Sequence, residues 1–128
     1  ARQRLQSIGY PADHSVSAIE LDCSDQICAD YIIERQKNAS PGTVMVVDYL
    51  QLLDQNRDHP ALPEQIARLR QFATQKSASI IFISQIDRTF EQSASPIPGR
   101  DHIRLPNPVD LRQFARSCFI HDGQVQIS

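Results

Sequence analysis

The sequence predicts an α/β fold, a mostly parallel β-sheet with helices on its faces. Three observations predict it. Two short runs, Thr43–Tyr49 and Ser79–Ser84, are continuously apolar rather than alternating, the pattern of strands buried on both sides in a parallel sheet. Between them lies a helical period that brings Ile66, Leu69, Phe72 and Ala73 to one side. Another helical pattern precedes the first run, so strands and helices alternate, the order that builds parallel sheets covered by helices.

Taken in order, Arg2 to Ile8 reads as a short helix ended by Gly9-Tyr10-Pro11. Ser17–Leu21 reads as a first strand. Ser24 or Asp25 is placed to cap a helix running to about Lys37, with Ile27, Tyr31 and Ile32 on one face. Asn38-Ala39-Ser40-Pro41-Gly42 is a turn into the Thr43–Tyr49 strand. Gln55 to Leu62 is a polar loop, and Pro63 suits the first turn of a helix that extends to about Lys76. After Ser79–Ser84, the segment from Ile86 to Pro108 contains Pro96, Pro98, Pro106 and Pro108 and has no periodicity. A structureless connection of that length is uncommon in a compact domain and marks a functional loop. Cys118–His121 and Gln124–Ile127, joined by Asp122-Gly123, read as a closing hairpin.

A chain of 128 residues fits one domain, 1–128. Hydrophobic residues make up 41% and charged residues 22%, ordinary for a globular protein. No apolar run approaches the ~20 residues that span a bilayer, and the polar start Ala1-Arg2-Gln3-Arg4-Leu5 is unlike a signal peptide. The expected setting is therefore cytoplasmic. Cys23, Cys28 and Cys118 form no CxxC pair and have no histidine at metal-ligand spacing, so free thiols are expected. The net charge of −2 argues against a nucleic-acid binder defined by overall basicity. The cations are nonetheless lopsided, 11 Arg against 2 Lys, and arginine offers a planar fork for phosphates and carboxylates.

In open α/β sheets ligands sit at the carboxyl ends of strands, which here carry Asp22, Asp48 and Ser84-Gln85. An aspartate at the end of a buried strand must be solvated, hydrogen-bonded or cation-bound. Asp48 could thus hold Mg²⁺ through water, a hard cation on an oxygen ligand, or simply cap the next turn. Gln85 could orient a water or sense a terminal phosphate without adding negative charge, or merely end its strand. The four histidines, His14, His59, His102 and His121, show neither HxxxH nor HExxH spacing. Ser84, His121 and Asp48 supply the residue types of a hydrolytic triad, but no Gly-x-Ser-x-Gly elbow accompanies them.

The two strand ends together resemble one family. Val44-Met45-Val46-Val47-Asp48-Tyr49-Leu50-Gln51-Leu52-Leu53 is similar to the Walker B segment of DnaB-type replicative DNA helicases, an apolar strand followed by Asp-Tyr-Leu-Gln-Leu. Ile81-Phe82-Ile83-Ser84-Gln85-Ile86-Asp87-Arg88 resembles that family's Ser-Gln-Leu-Asn-Arg strand end, and Thr89-Phe90-Glu91-Gln92 its continuation. Ile19-Glu20-Leu21-Asp22 is similar to the strand that precedes Walker B. The resemblance covers roughly Ile19 to His121 and is densest at Asp48–Leu53 and Ser84–Arg88. It implies a RecA-like sheet, ATP and Mg²⁺ as ligands, Asp48 and Ser84 beside the nucleotide, Asp48 near the metal, and Gln85 as the phosphate sensor coupled to the DNA loops. It places DNA contacts in the loop, at Arg88, Arg104 and Asn107. Where the family carries Asp-Leu-Arg-Glu-Ser-Gly, this chain has His102-Ile103-Arg104-Leu105-Pro106-Asn107, and only Arg104 matches well. The loop region sets five arginines (Arg88 to Arg116) against Asp87, Glu91, Asp101 and Asp110, a weak footprint for a phosphate backbone.

The family's Gly-x-x-x-x-Gly-Lys-Ser/Thr phosphate loop has no counterpart. Gly9, Gly42, Gly99 and Gly123 begin no such loop, and neither Lys37 nor Lys76 follows a glycine. By the resemblance, the catalytic glutamate would lie before residue 1 and the Lys-Gln-Arg stretch beyond Ser128. The chain is thus expected to be a RecA-like core that is incomplete, or one that has decayed into a binding or regulatory module of replication or of a mobile element. In either case ATP hydrolysis by the chain alone is not expected. A sheet lacking its first strands exposes an edge, which favours self-association or a partner chain.

Overall fold

A computed structural model describes residues 19–105 and 107–128. The predicted Arg2–Ile8 helix lies outside them. Strand β1 (Val44–Asp48) and strand β2 (Ser79–Ile83) pair in parallel, with Val44 opposite Ser79 and Asp48 opposite Ile83. Helix α1 (Ala29–Arg35) precedes them and helix α2 (Leu62–Lys76) connects them. A separate antiparallel pair, β3 (Cys118–His121) and β4 (Gln124–Ile127), forms the predicted hairpin, with Asp122 and Gly123 both at positive φ in its turn. The described residues are therefore mixed α/β, with one small parallel sheet and one hairpin among them.

Helix α2 is specified by spacing. Leu62, Ile66, Leu69 and Phe72 recur at three- and four-residue intervals and are all buried. Pro63 stands in its first turn, where no intrahelical N–H is needed. Ser77 ends it in the left-handed region, its N–H returning to Thr74. Helix α1 begins later than expected. Its N-cap is Cys28, whose Sγ accepts from the Tyr31 N–H, not Ser24 or Asp25. The delay has a local cause: the Asp22 carboxylate accepts from the Ser24 N–H and the Ser24 hydroxyl from the Gln26 N–H, turns that compete with helix.

Both helices pack on one side of the sheet. Ile32, Met45, Val47, Leu50, Leu53, Ile66, Leu69 and Phe72 form the core, with Ile80 and Phe82 half-buried against it. The expectation of strands buried on both faces is corrected. Burial alternates along β1, and Val44, Val46, Ile81 and Ile83 are 60%, 57%, 51% and 46% exposed. Apolar runs show that a strand suits burial on both sides; among the described residues, cover exists on one.

The predicted first strand is also corrected. Ile19–Leu21 has no regular structure, and Ser17 and Ala18 lie outside the described residues. Glu20 and Asp22 instead pair with Arg35, and Asp22 accepts from the Tyr31 hydroxyl, fastening this segment alongside α1 rather than in the sheet. The long loop is shorter of structure than of order. It contains short 3-10 turns at Arg88–Gln92 and Arg100–His102, and Ile86 bridges Ile103 in antiparallel fashion.

Candidate functional site

Because β1 and β2 are parallel and in register, their carboxyl ends lie side by side, Asp48 opposite Ile83, the residue after which Ser84 leaves the strand. The peptide between Asp48 and Tyr49 is cis. The chain then turns through Leu50–Asp54, a 3-10 turn whose Leu50 and Leu53 are buried and which carries Gln51 inward with them. Gln51 is only 8% exposed. Its Nε2 donates to the Ser84 hydroxyl at 3.1 Å and to the backbone carbonyl of Arg104. Its Oε1 is buried and has no donor among the described residues. Since Arg104 presents a carbonyl, the amide orientation is set by the network.

Arg104 closes the far side. Its N–H donates to the Gln85 carbonyl at 2.9 Å, and its guanidinium reaches Gln85 Oε1 at 3.5 Å. The Asp87 N–H donates to the His102 carbonyl at 2.7 Å. These bonds make a neck at which the 86–103 loop leaves and returns. Beside it is a cleft of about 240 Å3 lined by Tyr49, Gln51, Asp54, Gln55, Gln85 and Arg104. A second, larger groove lies on the outer side of α2 near Gln113. It carries none of the strand-end residues.

The structure therefore brings Ser84, Gln85 and Arg104 together, with Gln51 at their centre. Asp48 shares its face with Val44 and Val46, is exposed, and does not line the cleft. Asn107 donates to Asp54 at the cleft's edge. Arg88, at the start of the loop's first turn, is exposed and has no ion pair among the described residues. Asp87 caps that turn through the Thr89 N–H, which holds its carboxyl below the ordinary aspartate range, aided by Arg104 and His102 nearby. The triad arrangement does not form. Ser84 is bonded to Gln51, and the His121 ring packs edge-on against Phe90, 4.8 Å between centroids. Asp22, the third strand-end candidate, is held by Ser24, Tyr31 and Arg35 as a fastener of the segment preceding α1.

Gln51 is the residue that sequence reasoning assigned no role. The available signal was a single amide inside an otherwise apolar Leu50-Gln51-Leu52-Leu53 run, since a polar group buried among leucines needs partners. Its partners lie 33 and 53 residues away, beyond what spacing reveals.

The donor set can be tested against the implied ligands. Asp48 has no hydrogen-bond or ion-pair partner among the described residues, so its carboxylate is free to accept from the water shell of a hard cation. No group of three acidic, histidine or cysteine side chains converges among the described residues. The chain thus fits one water-mediated contact to Mg²⁺. Among the described residues no lysine is placed to hold a triphosphate beside Asp48. Lys37 pairs with Glu34, and Lys76 donates to the Lys37 carbonyl at the amino ends of the strands, opposite Asp48. No step through ATP can be assigned to these residues.

Comparison with protein-family models, with curated proteins and with solved structures returned no match to this chain.

Proposed function

We propose that this chain is the C-terminal half of a RecA-like ATPase core of the DnaB replicative-helicase kind. It acts either as part of a larger assembly or as a module that keeps the fold without the chemistry. One observation carries the reading: a β-α-β unit with parallel, in-register strands delivers Asp48 and Ser84-Gln85 to adjacent carboxyl ends. Ligand chemistry in open α/β sheets concentrates at such ends. The family motifs around those positions support the same assignment. In it Asp48 is one outer contact of a magnesium site whose phosphate-holding half comes from elsewhere, and Gln85 links that site to the loop through Arg104. Arg88 and Arg104 are the loop cations for nucleic-acid phosphate. Asn107 is engaged with Asp54 and would have to leave it to contribute.

The reading is tested in two arms. Titration calorimetry of the chain alone with ATP and Mg²⁺ is expected to show no binding; micromolar affinity would overturn the assignment of the phosphate site to another segment. In the complete assembly, Asp48→Ala is expected to abolish ATP turnover. A second reading, a non-catalytic interaction module, is favoured by the uncovered aliphatic face of Val44, Val46, Ile81 and Ile83 and by the unpaired outer edges of β1 and β2 among the described residues. It predicts that Asp48→Ala changes partner binding or stability in an assembly that turns over no ATP. Self-association or a partner chain along that edge belongs to both.

A further inference from the structure

We propose that the outer edge of β4 joins two copies of this chain, strand to antiparallel strand, about a two-fold axis at Gln126. This edge is distinct from those of β1 and β2, and the pairing is independent of the helicase reading.

The register of the hairpin fixes which groups the edge offers. Ser117 and Ser128 exchange both of their main-chain bonds. Bonded and non-bonded pairs alternate in an antiparallel ladder, so Phe119–Gln126 and His121–Gln124 are the other bonded pairs. Gln124, Gln126 and Ser128 therefore turn their N–H and C=O toward β3, while Val125 and Ile127 turn theirs outward. The side chains of Val125 and Ile127 are 59% and 66% exposed, and the hairpin is two-stranded among the described residues. Gln124 and Gln126 share a face with the buried Phe119 and are themselves exposed. The body of the protein thus lies under β3 and leaves room for a strand beside β4.

The strand suits its own copy. With Gln126 opposite the partner's Gln126, Val125 meets the partner's Ile127 and Ile127 meets the partner's Val125. Both are bonded pairs of two bonds each, so all the outward groups are used. An axis at Val125 would set Ile127 against the partner's Gly123, which is held in the turn at positive φ, and forfeit half of the bonds. Gln124 to Ser128 contains no ionisable side chain, so no charge meets its like across the axis, and it lacks the lysine or proline that guards an edge. The Gln126 amides, each with donors and an acceptor, complement one another. On the other face, Val125 and Ile127 form two cross-strand aliphatic pairs, which extend the exposed Ile120 row across the seam. One strand pair is small beside the ~800 Å² per partner of a stable interface, so the association is weak and reversible.

Disulfide trapping reads a weak dimer and its register together. The background replaces the exposed Cys23 and Cys118 with serine and keeps the buried Cys28. Gln126→Cys then sets two thiols across a non-bonded pair, with Cα atoms about 4.5 Å apart, inside the range a disulfide spans. Gln124→Cys, on the same face, lies opposite the partner's Ser128, so its two thiols stand four residues apart along the strands, about 14 Å. Cross-linked dimer is expected to form at least about tenfold faster from Gln126→Cys than from Gln124→Cys. Val125→Pro is the second variant. It removes an outward N–H while sparing the bonds of the hairpin, a placement proline tolerates at an edge. In sedimentation equilibrium the average mass of the wild-type chain is expected to rise between micromolar and millimolar concentration. That of Val125→Pro is expected to stay at the monomer, with its Ser128 N–H still protected from exchange. Equal cross-linking rates at the two positions, a wild-type mass independent of concentration, or association undiminished by Val125→Pro would each overturn the pairing.

Discussion

Gln65 is fully buried in α2 and links three separate segments. Its Oε1 accepts from the Ala29 N–H at 2.9 Å, and its Nε2 donates to the carbonyls of Leu53 at 2.6 Å and Pro60 at 2.7 Å. Replacing it with leucine keeps an apolar side chain of similar bulk and removes every bond. The Ala29 N–H and the Leu53 carbonyl are then buried without partners, each costing about 1–3 kcal/mol. Pro60 is half-buried, so its carbonyl can turn to water at smaller cost. The sum for Gln65→Leu is about 2–6 kcal/mol, a large part of the ~5–15 kcal/mol that holds a domain folded. Urea unfolding followed by far-UV circular dichroism measures it as a fall in midpoint at constant slope. Gln65→Glu is expected to be worse near neutral pH, since a buried carboxylate would face two carbonyls. A loss below about 1 kcal/mol for Gln65→Leu, within the range of a surface substitution, would refute the claim that this amide is satisfied only by those three groups.

Two more outcomes follow from the same bookkeeping. On one strand, Val46→Thr, on the open face, is expected to move stability by less than about 0.5 kcal/mol, whereas Val47→Thr, 7% exposed against the core, is expected to lose about 1–3 kcal/mol by burying a hydroxyl; equal effects in chemical unfolding would mean that the open face is covered in solution. Asp22, Asp87 and Asp110 all have lowered pKa values, through hydrogen bonds from Ser24 and Tyr31, from Thr89, and from Arg112 respectively. A lowered folded-state pKa stabilises above the unfolded value and is lost as pH falls through the folded one. The melting temperature is therefore expected to drop below about pH 4, and Asp87→Asn to flatten that drop; a melting temperature unchanged into that range would contradict it.

What the sequence made legible was whatever depends on local period. Helix α2, the two parallel strands and the hairpin lie within a residue or two of their expected bounds, because Leu62, Ile66, Leu69 and Phe72 at helical spacing, and Val44–Val47 and Ile80–Ile83 as apolar runs, each admit one regular structure. What failed depends on partners distant in sequence. Ile19–Leu21 has strand-like composition, but Glu20 and Asp22 find Arg35 in α1 and hold the segment outside the sheet. Gln51 and Gln65 look by type like surface residues, and only the fold brings carbonyls to them. Asp48 and Gln85 were expected in one site, and both do end adjacent strands. The alternation of the pleat nonetheless sends Asp48 to the open face while Gln85 turns to Arg104 and the cleft.

That separation bears on what must cover the sheet. Parallel sheets owe their stability to cover on both faces, and a two-stranded one has little of its own. The four aliphatic side chains on the open face are each about half exposed. Burying the remainder is worth about 1 kcal/mol apiece, about 4 kcal/mol together. Association costs at least about that much in lost translation and rotation. The face by itself therefore cannot hold a separate partner, and any stable cover has to gain elsewhere. The edges of β1 and β2 that are unpaired among the described residues supply main-chain bonds, and Asp48, standing at the end of the same face, supplies a charge for a cation. A covering element that is covalently continuous with the sheet, or that pairs its edge while meeting Asp48, satisfies all three; one that only caps the aliphatic side chains does not. On the proposed reading, the phosphate-binding half of the ATPase core is the element that meets these requirements, which ties the exposed valines and isoleucines to the same element as the magnesium site.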